Sequence, residues 1–400
     1  MQIEQCLEKV LSVIKPIVDT EIIRIEECCG RVLAEDIVAP IGVPEFNRSA
    51  MDGYAVFSQD TAGATKEKPL ELTVVEKIFA GDYPQITYKK GTCVRVMTGA
   101  YIPDGYDSVI RQEDTDYGTN TVRIYKGTNT FENYSKAGED IAIGTLVLKD
   151  NTTLTYLHTG ILASLGIDKI SVRKKAKVSI ISTGSELMNP GEKLEPGKIY
   201  GSIGHMLSSA IRNQNFNVTM NKLCGDDSAE AMTLLKEAIE ESDFVITTGA
   251  VSVGKRDFMP AMLKEAGATI LFQGADIQPG TPTMASLLEG KVILSLSGNP
   301  YAALANFEIY FWEAMAKMTG MDCLKPLIET VELADSYNKI NKRRRLIRAK
   351  VVGSKVYLPT ESHAASVINN MTDCNCFIDL EAKRAVKIGD KVTIRHIKGL

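Results

Sequence analysis

Long apolar runs are missing from this chain. The longest stretches, such as residues 292–296, are strand-sized, far short of the ~20 apolar residues that a membrane span needs. No CxxC pair occurs among the eight cysteines, and only four histidines are available to complete a zinc site, so none is expected. Cys374 and Cys376 alternate as strand neighbours do and read as packing rather than metal ligands. The expected compartment is a reducing cytoplasm. Positive charge is also short. A formal net charge of −4 argues against a broad nucleic-acid footprint. The run Lys342, Arg343, Arg344, Arg345 is the exception, and it reads as a solvated loop or a strand start. Nor does the N-terminus read as a secretion signal. Ile3, Leu7, Val10, Leu11 and Ile14 follow one face of a helix, but Glu4, Glu8 and Lys9 interrupt them.

What is present is a chain of 400 residues, too long for one ordinary core and suited to two to four domains. After the first helix, residues 22–45 read as a connecting segment. Residues 46–145 read as short strands (LELTVVEKIF, TCVRVMTG, DSVIRQED, TVRIY) punctuated by Gly, Pro, Asp and Asn. The stretch LTYLHTGILASLG predicts a second helix, closed by Gly166 as a C-terminal cap and packed with the first. That pairing would make the β-rich block an insertion into one discontinuous domain. From residue 176, strand-like runs (KVSIISTG, DFVITTG, KVILSLSGNP) alternate with helical patterns near 203–214, 228–242, 258–266 and from 300. Such alternation predicts an open, mostly parallel α/β sheet. Beyond residue 325 the chain returns to strands, a small C-terminal β-barrel or sandwich. The expected domains are 1–45 with 140–175, the insert 46–139, the α/β block 176–324 and the β domain 325–400.

One loop carries chemistry on its own terms. In PEFNRSAMDGYAV (44–56), Asp52 sits between small neighbours, Ser49, Ala50 and Gly53, while Met51, Tyr54 and Val56 anchor the segment. Small residues let a substrate approach the backbone while the acid points at it.

Three more loops follow the three α/β strands: Thr183-Gly184-Ser185-Glu186; Thr248-Gly249-Ala250 running on through Ser252 to Gly254; and Ser297-Gly298-Asn299-Pro300. Ligands of open α/β sheets gather at such carboxyl-end loops. Glycines there let backbone N–H groups approach phosphate, and a helix N-terminus adds partial positive charge. Asn299 and Pro300 suit the cap and first turn of the last helix. Glu186, Asp226 and Asp257 place three acids around this cradle. A divalent cation, Mg²⁺, would bridge them to an anionic ligand. Asp226 and Asp257 could equally cap the helices that follow them.

These segments resemble, in order, the molybdopterin molybdenumtransferase family (the MoeA and gephyrin E-domain family). PEFNRSAMDGYAV is similar to its first signature, and MTGAYIPDGYDSVIRQED (97–114) to its second. AGEDIAIGTLVL (137–148) and LASLGI resemble a third region, and STGSELMNPGEKLEPGKIY, TTGAVSVG and SGNPYAALANFE resemble the ligand loops. The resemblance implies a four-domain homodimer that inserts molybdate into adenylated molybdopterin and releases AMP with Mg²⁺. It implies roles for Asp52, Thr98, Asp140, Glu186, Asp226 and Asp257, the last three as metal ligands. It also implies pterin-nucleotide contacts at Thr183, Gly184, Ser185, Gly249, Ser252, Gly254, Lys255, Pro279, Gly280, Ser297, Gly298, Asn299 and Pro300. Expected partners are a second copy, the pterin nucleotide, an oxyanion and other molybdenum-cofactor biosynthesis proteins, with no nucleic acid and no membrane.

The departures bear on charge. Gln278, Thr281 and Gly274 stand at family lysine positions, Ser185 at an acid, Ala250 at a glycine and Ser297 at a proline. A dianionic oxyanion among three carboxylates and no lysine is poorly held. Lys255 and Arg256 could restore the charge. Alternatively, the chain is a binding paralogue without oxyanion insertion, or one that serves tungstate.

Overall fold

The computed structural model describes residues 1–251, 258–359 and 369–400. Among the described residues, the chain divides into two compact units. One comprises Met1–Glu21, Gly30–Val32 and Val172–Leu400, and the other Ile22–Cys29 and Leu33–Ser171. No described helix is long and apolar enough to cross a membrane.

Helix α1 (Ile3–Val13) buries Ile3, Cys6 and Val10, spaced three and four apart. The helical spacing is as expected. The stripe joins the core built around a helix at residues 300–319. In the other unit, the five-stranded sheet consists of β1 (Gly53–Val56), β2 (Leu70–Ile78), β3 (Thr92–Val96), β4 (Ser108–Arg111) and β5 (Thr121–Ile124), ordered β4-β1-β3-β2-β5. Four of these are the strands expected. Tyr54 and Val56 face one apolar cluster while Ala55 faces another, as the two-residue period requires. Helix α2 (Tyr156–Ser164) packs on the turn Ile25–Glu27 of its own unit. There, Cys28 Sγ lies 3.1 Å from Thr159 Oγ1. Gly166, at φ +73°, closes the helix as expected.

The first unit continues through β6 (Lys177–Thr183), α3 (Ile203–Asn213), β7 (Asn217–Cys224), α4 (Ser228–Glu241), β8 (Phe244–Thr248), α5 (Met259–Glu265), β9 (Thr269–Gln273), β10 (Met284–Leu288), β11 (Lys291–Leu296) and α6 (Pro300–Thr319). The sheet order is β7-β6-β8-β11-β10-β9. The first four strands run parallel, and β10 is antiparallel to both β11 and β9. Strands β7, β9 and β10 were not among those expected. Along β7, polar Asn217, Thr219, Asn221 and Lys222 break the apolar run that marked its neighbours.

A closed five-stranded barrel follows: β12 (Ile328–Leu333), β13 (Arg344–Val352), β14 (Lys355–Tyr357), β15 (Cys376–Leu380) and β16 (Lys391–His396), ordered β13-β14-β12-β16-β15, with β15 returning to β13. Cys374 and Cys376 are buried free thiols in packing positions. The basic run does begin a strand, but a solvated reading fails for two of its members. Arg344 donates to Asp379 through Nε (2.6 Å) and Nη2 (2.7 Å), and to Glu4 at 2.5 Å. Arg345 is only 8% exposed. Arg395 Nε adds a third bond to Asp379, at 2.7 Å.

The Asp379 side chain is 2% exposed. Burial alone would raise its pKa, but the two guanidiniums more than offset this and hold it below the usual carboxylate range. Its stabilising contribution is therefore complete above the unfolded pKa and is lost as pH falls through the folded one. Asp379→Ala leaves two cations without their partner and is expected to cost about 3–5 kcal/mol. Urea titration at pH 7 checks this, and a loss under 1 kcal/mol would show the pair to be dispensable.

Candidate functional site

Strands β6, β8 and β11 run parallel, so their carboxyl ends open on the same edge of the sheet. There they form an open cleft of about 380 Å³. Close packing of the loops depends on missing Cβ atoms. At Gly249, φ +86°, a Cβ would stand 2.2 Å from the Thr183 carbonyl oxygen. At Gly184 it would meet Glu186 Oε2 at 2.7 Å, so the Glu186 carboxylate lies directly over that glycine. Backbone bonds lock the loops in register. Gly184 N–H donates to Cys224 O and Gly249 N–H to Leu296 O, both at 3.0 Å. Thr183 Oγ1 donates to Thr248 O, also at 3.0 Å.

Of the expected residues, the structure brings Thr183, Gly184, Glu186, Asp226, Gly249, Ser297, Gly298 and Asn299 to the walls of this cleft. Ser185 stands behind them, its Oγ accepting the Asp226 N–H at 2.9 Å. Asn299 Oδ1 caps α6 by accepting the Ala302 N–H at 3.1 Å, with Pro300 in the first turn. The positive end of a twenty-residue helix thus opens at the cleft. The cap of α4 belongs to Asp227, which accepts from Ala229 and Glu230. Asp226 is therefore not the capping residue. Pro279 and Gly280 do not line the cleft. Gly280 packs on α6, where a Cβ would fall 1.8 Å from Asn306 Nδ2, and their loop reaches the wall through Pro282. Sequence reasoning missed Pro282, whose only signal was its place beside Thr281. It also missed Lys198, whose Nζ donates to Ser185 O at 2.6 Å. Ser252, Gly254, Lys255, Arg256 and Asp257 lie outside the described residues.

The cleft's chemistry is that of an anion site fitted with acids. Its described lining offers glycine-loop backbone, whose Gly184 and Gly249 N–H groups are spent on the bonds above, a helix terminus, two carboxylates, and no lysine or arginine. Among the described residues, no three His, Cys, Asp or Glu side chains group closely enough to hold a metal by themselves. Two carboxylates suit Mg²⁺ nonetheless, because that ion keeps several waters and completes its shell with substrate phosphate oxygens.

In the other unit, Asp52 and Thr98 come together. Asp52 Oδ1 accepts the Thr98 N–H at 2.7 Å and the Thr98 hydroxyl at 2.8 Å. The strand β1 begins at once after it, because Gly53 packs with no room for a side chain: a Cβ would lie 2.0 Å from Ile110 O. Asp140 stands exposed on a loop of the same unit, its N–H bonded to Val43 O at 3.0 Å. The Thr98 N–H and then the Thr98 hydroxyl hold Asp52 below the usual carboxylate range, so it stays ionised near neutrality. Thr98→Val removes the second donor, and the Asp52 pKa should rise part of the way toward its ordinary value. Carboxyl NMR titration reads this directly; an unchanged midpoint would mean that the hydroxyl bond contributes nothing.

Comparison with known proteins agrees with this architecture in chain order. Residues 1–166 match the MoeA N-terminal region (domain I and II), 179–317 a probable molybdopterin binding domain, and 330–396 the MoeA C-terminal region (domain IV). A molybdopterin molybdenumtransferase of Staphylococcus epidermidis is 36% identical over 93% of this chain and 90% of its own. One from Staphylococcus aureus is 34% identical over the same shares. A crystal structure of a molybdopterin biosynthesis MoeA protein from Pyrococcus horikoshii covers all of both chains, with a TM-score of 0.89 at 30% identity. A second from that organism reaches 0.82 at 29% over 99% of each. Similarity this long, through every segment of the chain and at both levels, means that the protein belongs to the MoeA family of molybdopterin molybdenumtransferases.

Proposed function

We propose that this chain is a molybdenum-cofactor biosynthetic transferase that inserts molybdate into adenylated molybdopterin and releases AMP. The observation that carries this reading is the cleft itself. Glycine loops and the α6 N-terminus offer donors to phosphate, and the carboxylates Glu186 and Asp226 stand on the same walls. Thr183, Gly184, Gly249 and Ser297 to Asn299 would hold the pterin-nucleotide phosphates through close backbone approach, with Ser185 and Pro300 behind them. Glu186 and Asp226 would hold Mg²⁺, with Asp257 as a third ligand. The ion, when bound, would neutralise charge as the phosphoanhydride breaks and AMP leaves.

The working form is a homodimer in a reducing cytoplasm. Its four domains are 1–45 with 140–175, 46–139, 176–324 and 325–400. Asp52, Thr98 and Asp140 would act in a site completed by a second copy. An ionised Asp52, kept so by Thr98, would serve as an acceptor or positioning group rather than as an acid.

AMP release from adenylated molybdopterin, with molybdate and Mg²⁺ varied, tests the reading. Glu186→Gln and Asp226→Asn should each raise the Mg²⁺ requirement by at least the roughly 10–100-fold that losing an outer-shell partner costs. Turnover in wild type that ignores chelation of Mg²⁺ would sink the metal assignment. Mixing Asp52→Ala chains with Glu186→Ala chains should restore activity, since each heterodimer would keep one intact site. Absence of rescue while subunits demonstrably exchange would count against sharing.

A further inference from the structure

Glu186 and Asp226 face the cleft from two different loops. Among the described residues, neither carboxylate has a hydrogen-bond or ion-pair partner. Nothing ties either side chain in place from its outer end, so the spacing of the two acids is set by how their backbones are held. A divalent cation is sensitive to that spacing, because Mg²⁺ demands near-octahedral geometry at about 2.0–2.1 Å from each oxygen.

One residue joins the two loops. Ser185 precedes Glu186 in a tight turn, closed by the Leu187 N–H donating to Gly184 O at 3.0 Å. The Ser185 hydroxyl leaves that turn and accepts the Asp226 N–H at 2.9 Å. The bond between the loops therefore runs from the amide of one acid to the neighbour of the other. Behind the turn, the chain returns through residues 198–201, where two consecutive donors meet two consecutive carbonyls. Half-buried Lys198 donates through Nζ to Ser185 O at 2.6 Å, and the Ile199 N–H donates to Glu186 O at 2.8 Å. The parallel pairing of Leu187–Met188 with Ile199–Tyr200 extends the same grip. On the far side of the Asp226 loop, Glu230 Oε2 accepts the Gly225 N–H at 3.3 Å.

Ser185 and Asp226 are both exposed. A hydrogen bond between them adds little to folding, since water serves either partner nearly as well. What it does is fix one acid-bearing loop against the other. A charge-assisted bond from an ammonium to the Ser185 carbonyl is stronger than a neutral one, and it holds the residue that makes the link.

We propose that Ser185, braced by Lys198, is a positioning residue of the metal site: its hydroxyl sets the spacing of Glu186 and Asp226 so that one divalent cation can take an oxygen from each. The assignment rests on the functional reading above. It gives Ser185 a role other than the nucleotide contact expected of it, and it gives Lys198 a role that its place outside the motif residues did not announce.

Mn²⁺ serves as the spectroscopic probe of the Mg²⁺ site. Its binding with AMP present is read from the free-Mn²⁺ signal in electron paramagnetic resonance, on wild type, Ser185→Ala, Ser185→Thr and Lys198→Met. AMP binding without metal and thermal unfolding are measured on the same four proteins. Ser185→Ala and Lys198→Met should each weaken Mn²⁺ about tenfold or more, the loss that follows removal of an outer-shell partner. Ser185→Thr keeps the hydroxyl and should keep most of the affinity. AMP affinity without metal and the unfolding temperature should hold in all four. The two losses come from separate residues, so either variant carries the test should the other fail to fold. Unchanged Mn²⁺ affinity in a folded variant, or a loss in Ser185→Thr as deep as in Ser185→Ala, overturns the positioning role and leaves the transferase reading standing. A parallel fall in AMP affinity and unfolding temperature also overturns it, by making the bonds part of the fold alone. Wild type that binds no Mn²⁺ with AMP present overturns the metal assignment itself.

Discussion

Helix α6 is the constraint on which the first unit depends. Almost every residue of it is buried, including its aromatic series Phe307, Tyr310, Phe311 and Trp312. A helix apolar on all sides must be covered on all sides, and each neighbour contributes one cover. Phe244 of β8 meets Phe311 edge-on at 5.4 Å. Helix α1 lays its stripe against it, and Lys317 Nζ caps the Leu11 carbonyl at 2.7 Å. Toward the barrel, the Tyr301 hydroxyl donates to Leu346 O at 2.5 Å and accepts the Arg348 N–H at 3.1 Å. Near the chain end, the Glu308 carboxylate accepts the Lys398 N–H at 3.1 Å, and burial pushes its pKa up to about 7. The N-terminus of this immobilised helix is what faces the cleft, so the donors offered to a phosphate are set in place by the core.

Electrostatics then divides the labour. A phosphate cradle built from N–H groups and a helix end is sequence-tolerant, because every residue but proline supplies the donor. Here that tolerance leaves Ser185, Ala250 and Ser297 in loops whose backbone course is held by Gly184, Gly249 and a few main-chain bonds. Holding a charged ligand is less tolerant, because a dianion next to Glu186 and Asp226 meets like charge at short range. A bridging divalent cation is one way of correcting this, since it takes carboxylate and phosphate oxygens together.

Much of the architecture was legible because the signal was local. Buried parallel strands show as apolar runs, which is why β6, β8 and β11 and the glycines ending them stood out. The pair Asn299-Pro300 announced the start of α6, and Gly166 the end of α2. Strands β7, β9 and β10 were hidden because polar residues break their pattern or antiparallel pairing gives them no distinctive run. The acids of the site were visible as residue types within motifs. Whether each was spent on structure was not: Asp226 and Asp227 are neighbours of the same type, and only backbone geometry gives the α4 cap to the second.

The sequence by itself determined which residues could do chemistry and which segments alternate between strand and helix, because composition and period are properties of the chain alone. Tertiary structure decided who meets whom. It placed α1 against α6, since an apolar stripe packs on whatever uncovered apolar surface its own unit offers. It also turned a basic run that reads as solvated into a buried Arg344–Asp379–Arg395 cluster and a pair of arginines beside the 277–281 loop. Strand register sets which side each arginine faces, and register arises from pairing between segments some seventy residues apart.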